Sequence, residues 1–396
     1  MSFKKQIRFL HKWLGLISGL IVFIISITGC IFCFHDEIKD ITRKEWRLVE
    51  PQNKPFVLPS VLQEKAKEIL PEYKQSMVSF YGKNRAAIVY TYSGTENRYL
   101  YFNPYTGKYL KTEDPETDFF IIVEYIHLYL LLPDYIGKHI IGGATIIFIL
   151  LLISGIIQWW PKKKKDLKRS LSVKWSAKWR RVNYDWHNTS GFYIAIIAAI
   201  IAITGLTFTY EWVGDGIYKI FNFGGDKALE TKAPVIDTTK FANNKITAVD
   251  RAFIETMKLQ PKAEMIFITY PLQKGDLINT GAYPHTLRYD HQSNYYFHPG
   301  DGKLIQSQPF DKKSLGLQVV EMNYGIHTGQ ILDLPGKIIA FIISLIAAAL
   351  PATGFVIWYG RRNKSCKKIK AKNLTAKNAK FFIYKIFYKR KVRKAL

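Results

Sequence analysis

The sequence predicts an α-helical integral membrane protein with four transmembrane helices and two small exported α+β domains, built by internal duplication. Three observations predict this class. Residues 13–34, WLGLISGLIVFIISITGCIFCF, carry no charge, and a helix needs about 20 apolar residues to cross a bilayer. Stretches 140–160, 190–210 and 338–358 have the same character, with no Asp, Glu, Lys or Arg inside them. Charge is unevenly distributed, and motifs recur in register between the two halves of the chain. Lys4, Lys5 and Arg8 precede the first span as they would a signal peptide, but its apolar run exceeds the roughly 7–15 residues of such a leader. A retained anchor is expected.

The net charge of +26 falls on three segments: 1–12 carries four basic residues, 161–181 carries ten against Asp166, and 361–396 carries fifteen with no acid. The intervening segments are balanced, with thirteen basic and fourteen acidic residues over 36–125 and thirteen of each over 211–326. Basic residues mark cytoplasmic loops, so both termini are expected in the cytoplasm and the two long segments on the outer side of the membrane. The expected order is a first transmembrane helix over 1–35, an exported domain over 36–118, a pre-helix and second span over 119–160, and a basic loop over 161–186. A third span over 187–211, a second exported domain over 212–322, a pre-helix and fourth span over 323–360, and a basic tail over 361–396 follow. The tail's attraction to anionic membrane lipids accounts for its charge, and no nucleic-acid partner is expected. Cys30 and Cys33 form a C-x-x-C inside an apolar helix, where they read as core filling.

The duplication is read from spacing. His11 precedes Gly15 by four residues and Thr28-Gly29 by seventeen and eighteen; His187 stands at the same distances from Gly191 and Thr204-Gly205. His127 and His327 precede Gly155 and Gly354 by 28 and 27 residues, and Trp159 and Trp358 follow those glycines by four. Small residues late in each span let neighbouring backbones approach, which accounts for the glycines without chemistry. In the exported segments, 57–70 and KITAVDRAFIETMKL have helical spacing, and SMVSFYG, AAIVYTYSG, NRYLYFNPYTGKYL and AEMIFITYP read as strands. Tyr101-Phe102-Asn103-Pro104 matches Tyr296-Phe297-His298-Pro299, and each is followed by a glycine turn. Residues 211–245, rich in glycine and charge, are expected to wrap as loop.

The topology places His11 and His187 on the cytoplasmic side and His127 and His327 on the outer side. The seventeen residues from His11 to Thr28 span about 26 Å of helix, close to the hydrocarbon thickness. A histidine at a membrane edge either hydrogen-bonds a carbonyl, a lipid phosphate or a neighbouring helix, or ligates a metal. Two imidazoles from separate helices suit the axial positions of haem iron, and ionisable groups near membrane spans mark function. His35, at the outer end of the first span, and His139, opening the second, are alternative outer ligands or ordinary interfacial histidines. His285, His291 and His298 would bind a metal if a strand pair aimed them together. H-E-x-x-H and G-x-G-x-x-G do not occur.

HKWLGLISGLIVFIISITG at 11–29, IHLYLLLPDYIGKHIIGG at 126–143, SGIIQWWP at 154–161, WHNTSGFY at 186–193, IHTGQ at 326–330 and YFNPYTGK at 101–108 together resemble the PepSY-associated transmembrane helix family of bacteria, over nearly all of residues 1–360. One branch of that family is a dihaem reductase of ferric siderophores. The resemblance implies two haem b groups, one on His11 and His187 and one on His127 and His327. It also implies a quinol or cytoplasmic electron donor and a ferric chelate or siderophore reduced on the periplasmic side. The alternative is a non-enzymatic membrane scaffold whose PepSY-like domains bind a peptide, a peptidase or an iron chelate. Transport would want broken spans with charged midplane residues, which these spans lack.

Overall fold

The computed structural model describes residues 2–161, 163–234, 246–273 and 275–362. In chain order it contains helices α1 (Phe3–Cys33), α2 (His35–Thr42) and α3 (Pro59–Ile69), strands β1 (Lys74–Phe80), β2 (Ala87–Tyr92), β3 (Asn97–Phe102) and β4 (Tyr109–Glu113), then α4 (Phe119–Tyr129) and α5 (Asp134–Trp159). The second half repeats the pattern with α6 (Trp179–Thr209), α7 (Glu211–Phe221) and α8 (Ala248–Leu259), β5 (Met265–Thr269), β6 (Ile278–Tyr283), β7 (Ser293–Phe297) and β8 (Leu304–Gln308), α9 (Leu315–Glu321), α10 (Asn323–Thr328) and α11 (Gln330–Arg362). Helices α1, α5, α6 and α11 are long and apolar enough to cross a membrane, and the chain is a multi-pass membrane protein. Most of the basic tail, 363–396, and the stretch 235–245 lie outside the described residues.

The third span's helix starts at Trp179, ahead of the expected 187, and an Arg181–Asp185 ion pair at 2.8 Å supports the roughly two extra polar turns. Residues 211–221 form α7 rather than loop. Val213, Gly214 and Tyr218 are buried along it, and Gly214 and Gly216 obscure the helix in the sequence.

The chain divides into two units. Among the described residues, the bundle unit takes those within 2–23, 147–195 and 346–362, and the sheet unit those within 24–146 and 196–345. In the bundle unit, helix ends pack through small residues. A methyl on Gly15 would lie 3.8 Å from Leu151, and one on Gly191 3.6 Å from Leu350.

The two long segments do not stand apart as two separate sheets. They form one antiparallel sheet in the order β4-β3-β2-β1-β5-β6-β7-β8, two four-stranded halves joined where Met77 to Phe80 pair with Thr269 to Ile266. Joining the first strand of each half removes two exposed edges that would otherwise template aggregation. One core serves both halves: Leu62, Phe80, Leu100 and Phe102 are buried with Phe253, Ile268, Tyr295 and Phe297, and Phe80 stacks on Phe253 at 4.8 Å. Helices α3 and α8 are locked at their starts. Asp250 accepts from the Ser60 amide (2.9 Å) and hydroxyl (2.6 Å), while the Thr247 hydroxyl caps the Asp250 amide.

The turns after β3 and β7 have matching hydrogen bonds. Gly107 N donates to Asn103 O and Gly302 N to His298 O, each at 2.9 Å, with both glycines at positive φ. Two tight corners position the histidine-bearing helices. After α4, Leu130 and Leu131 both take φ 56°, and a Cβ on Gly137 would fall 2.1 Å from Tyr129 O. After α10, Gly329 (φ 80°) does the same work, and a Cβ on Gly336 would fall 2.0 Å from Gly329 O. Only glycine permits such an approach.

Candidate functional site: four seated histidines

In the bundle unit, His11 of α1 and His187 of α6 line one cavity of about 740 Å³. The Nδ1 of His11 lies 2.8 Å from the Ser154 hydroxyl, and that of His187 lies 2.8 Å from the Thr353 hydroxyl. Each hydroxyl donates its own hydrogen to a carbonyl one turn back, Ser154 to Leu151 and Thr353 to Ala349. With its hydrogen so engaged, the hydroxyl oxygen accepts from the Nδ1–H tautomer, in which Nε2 keeps its lone pair. The residue after each hydroxyl is glycine, and the imidazole lies on it. A methyl at Gly155 would sit 3.5 Å from His11 Cε1, and one at Gly354 3.3 Å from His187 Cε1.

The sheet unit repeats this construction. His127 of α4 places Nδ1 3.0 Å from the Thr28 hydroxyl, and His327 of α10 places Nδ1 3.3 Å from that of Thr204 and 2.8 Å from Ile201 O. A carbonyl only accepts, so the tautomer of His327 follows without reference to the hydroxyl. Their rings lie on Gly29 and Gly205, at 3.4 and 2.8 Å from a would-be methyl. The two rings face each other with centroids 6.1 Å apart and planes at 66°. Two imidazoles sharing one metal at about 2.1 Å per bond would have centroids roughly 6 Å apart; the spacing also suits an edge-to-face contact. Phe208 packs on His327, and Tyr324 and Tyr289 continue the file of rings at 6.3 and 5.4 Å.

The alternative outer residues are differently engaged. His35 stacks on Phe32 at 4.1 Å, bonds Phe32 O through Nδ1 (2.8 Å) and has Asp36 3.3 Å from Nε2. His139 is exposed and stacks on Tyr210. The expectation that a strand pair aims His285, His291 and His298 together is not met. His285 is exposed in a turn, His291 packs against Phe310 beside Asp290, and His298 faces Asp301 in the turn after β7. Among the described residues no group of three or more His, Cys, Asp or Glu is placed to hold a metal ion. A haem iron, with four bonds to its macrocycle, needs only two ligands from the chain.

The bundle cavity has mostly apolar walls. Its walls include Leu16, Val22, Phe148, Leu152, Phe192 and Leu350. The sequence reading assigned the late glycines to helix packing. In the structure each Ser/Thr-Gly pair is a histidine seat, and the signal for it was their fixed distance from the histidines.

A family profile described as the PepSY-associated TM region matches residues 8–361, and the chain belongs to that family. No curated protein matches it.

Proposed function

We propose that this PepSY-associated membrane protein holds two haem b groups, one on His11 and His187 and one on His127 and His327, and reduces a ferric chelate on the periplasmic side. The observation that carries the reading is the fourfold seat: every one of these histidines is fixed through Nδ1 on a neighbouring helix, leaving Nε2 free. Metal-binding histidines are oriented in this way by their other nitrogen. Bound haem would supply one-electron transfer between a quinol or cytoplasmic donor and the ferric chelate.

The chain's own residues have separable tasks in this reading. The Ser154, Thr353, Thr28 and Thr204 hydroxyls hold the tautomer, the glycines set ring position, and the aliphatic walls of the bundle cavity exclude water. The basic segments favour cytoplasmic termini, and with them a sheet on the outer side. Ferrous iron is the weaker partner for hard oxygen ligands, so a chelate would release it on reduction. The test is to reconstitute the full chain in liposomes with reductant inside and a ferric chelate with a ferrous trap outside. Ferrous capture that requires His187 and His127 supports the reading; capture no faster than in protein-free liposomes overturns it.

A second reading needs no cofactor. Strands β4 and β8 end the sheet, each with one edge unpaired by any other strand of the sheet, and such an edge can accept an extended peptide as a further strand. In that reading the duplicated PepSY-like halves are a scaffold for a peptide, a peptidase or an iron chelate. A colourless, folded preparation that retains a peptide at β4 or β8 favours it.

A further inference from the structure

The bundle cavity has a feature that the histidines do not use. Lys5, Arg8 and Lys12 of α1 and Arg361 and Arg362 at the end of α11 line it, and no Asp or Glu does. Lys5, Arg8 and Lys12 stand at i, i+3 and i+7, so they share one helix face. None of the five is in an ion pair among the described residues. The Arg361 and Arg362 guanidiniums instead lie 5.7 Å over the rings of Tyr184 and Trp358, and Lys12 lies 4.4 Å over Trp13. A cation on an aromatic face keeps N–H donors available. Along α1, Arg8 and Lys5 lie about 4.5 and 9 Å from His11, the scale of the step from the centre of a porphyrin to the acids on its rim.

We infer that these five side chains form a two-carboxylate clamp at the cavity mouth, which takes the propionates of a non-covalently held porphyrin and points its acid edge at the helix ends. The inference rests on the haem reading of this cavity and deepens it. It assigns the recognised class as a free-acid tetrapyrrole, with the clamp setting its orientation. Guanidinium–carboxylate pairs are charge-assisted and often bidentate, so esterifying the acids removes what the clamp recognises. The competing source of anionic oxygen is a lipid phosphate, since basic residues beside a membrane span also attract anionic headgroups.

The test compares iron protoporphyrin with its dimethyl ester in the full-length protein, reconstituted in nanodiscs of neutral lipid and of neutral lipid with added phosphatidylglycerol. The readout is the rate at which each porphyrin passes to an acceptor apoprotein, taking only the phase that His187→Ala abolishes. In neutral discs the wild type should lose the ester at least tenfold faster than the free acid. Arg361→Gln/Arg362→Gln, and separately Lys5→Gln/Arg8→Gln, should bring the free acid toward the ester's rate with an unchanged spectrum. Either pair suffices, so misfolding of one variant leaves the other to decide. Equal wild-type rates for acid and ester in neutral discs overturn the clamp. So does a porphyrin preference seen only with phosphatidylglycerol, which would make the rim a lipid site. Wild-type protein that takes up neither porphyrin overturns the haem reading itself, an outcome distinct from a coloured protein indifferent to esterification.

Discussion

The imidazole of His187 rests on Gly354, its Cε1 3.3 Å from where an alanine methyl would stand, while its Nδ1 is 2.8 Å from the Thr353 hydroxyl. The same relationship joins His11 to Ser154-Gly155, His127 to Thr28-Gly29 and His327 to Thr204-Gly205. Each histidine-bearing helix is thus bonded to one partner through a small residue and a hydroxyl, and the ring's far nitrogen is left over. A purely structural histidine would gain stability by bonding through both nitrogens; here each ring keeps one nitrogen unbonded.

The tightest seat is the most sensitive to a methyl group. In Gly205→Ala the new carbon would fall 2.8 Å from His327 Cε1, while in Gly29→Ala it would fall 3.4 Å from His127 Cε1. Gly205→Ala should therefore displace His327 and halve the haem content measured as pyridine haemochrome, and Gly29→Ala should retain most of it.

The hydroxyl is separable from the glycine. Thr353→Val keeps the shape but removes the acceptor for His187 Nδ1, and loss of such a ligand-orienting bond weakens metal binding on the order of 10–100-fold. Haem titration of the purified protein should show that loss for Thr353→Val, with Thr353→Ser close to wild type.

The two sheet halves should unfold together. Asp250 is 3% exposed and ties α8 to the Ser60 amide and hydroxyl at the start of α3. Asp250→Ala removes that cap at a cost of about 2 kcal/mol and should lower the midpoint of a single urea transition of the sheet. Two resolved transitions in the wild type would contradict the shared core.

Acid should destabilise the sheet unit through two carboxylates. Burial pushes Asp40 up, but hydrogen bonds from Arg85 and Arg47 outweigh it and hold its carboxyl below the ordinary range. Burial also raises Asp118, and Lys39 and Arg43 bring it down further. A folded pKa below the unfolded value gives stability that is present above the unfolded value, about 3.9, and is lost as pH falls through the lower folded one. Urea midpoints should fall steeply below pH 4, and Asp40→Asn should flatten part of that slope.

The spans were legible because lipid tolerates so few sequences, and 140–160 or 338–358 can be little else. The four histidines stood out in the sequence because their spacing to a later glycine recurs in the two halves. Less was readable where one residue has two explanations. Gly354 serves helix packing or a ring seat equally well until the ring is seen on it. The pairing of β1 with β5 was hidden for a different reason. Val78 and Ile268 alternate as half-buried strands in either a split or a joined sheet, and only the register Met77 to Thr269 decides between them. Helix α7 was obscured by Gly214 and Gly216, whose weak helix propensity argues for a loop although Val213 and Tyr218 are buried along it.

The most direct measurement is the haem stoichiometry and absorption spectrum of the purified full-length chain, wild type beside His187→Ala and His127→Ala. Two haems per chain in the wild type and one in each variant, with the Soret band of a six-coordinate bis-histidine haem, is the predicted result. A folded, colourless wild type, or two haems retained in His187→Ala, would contradict it.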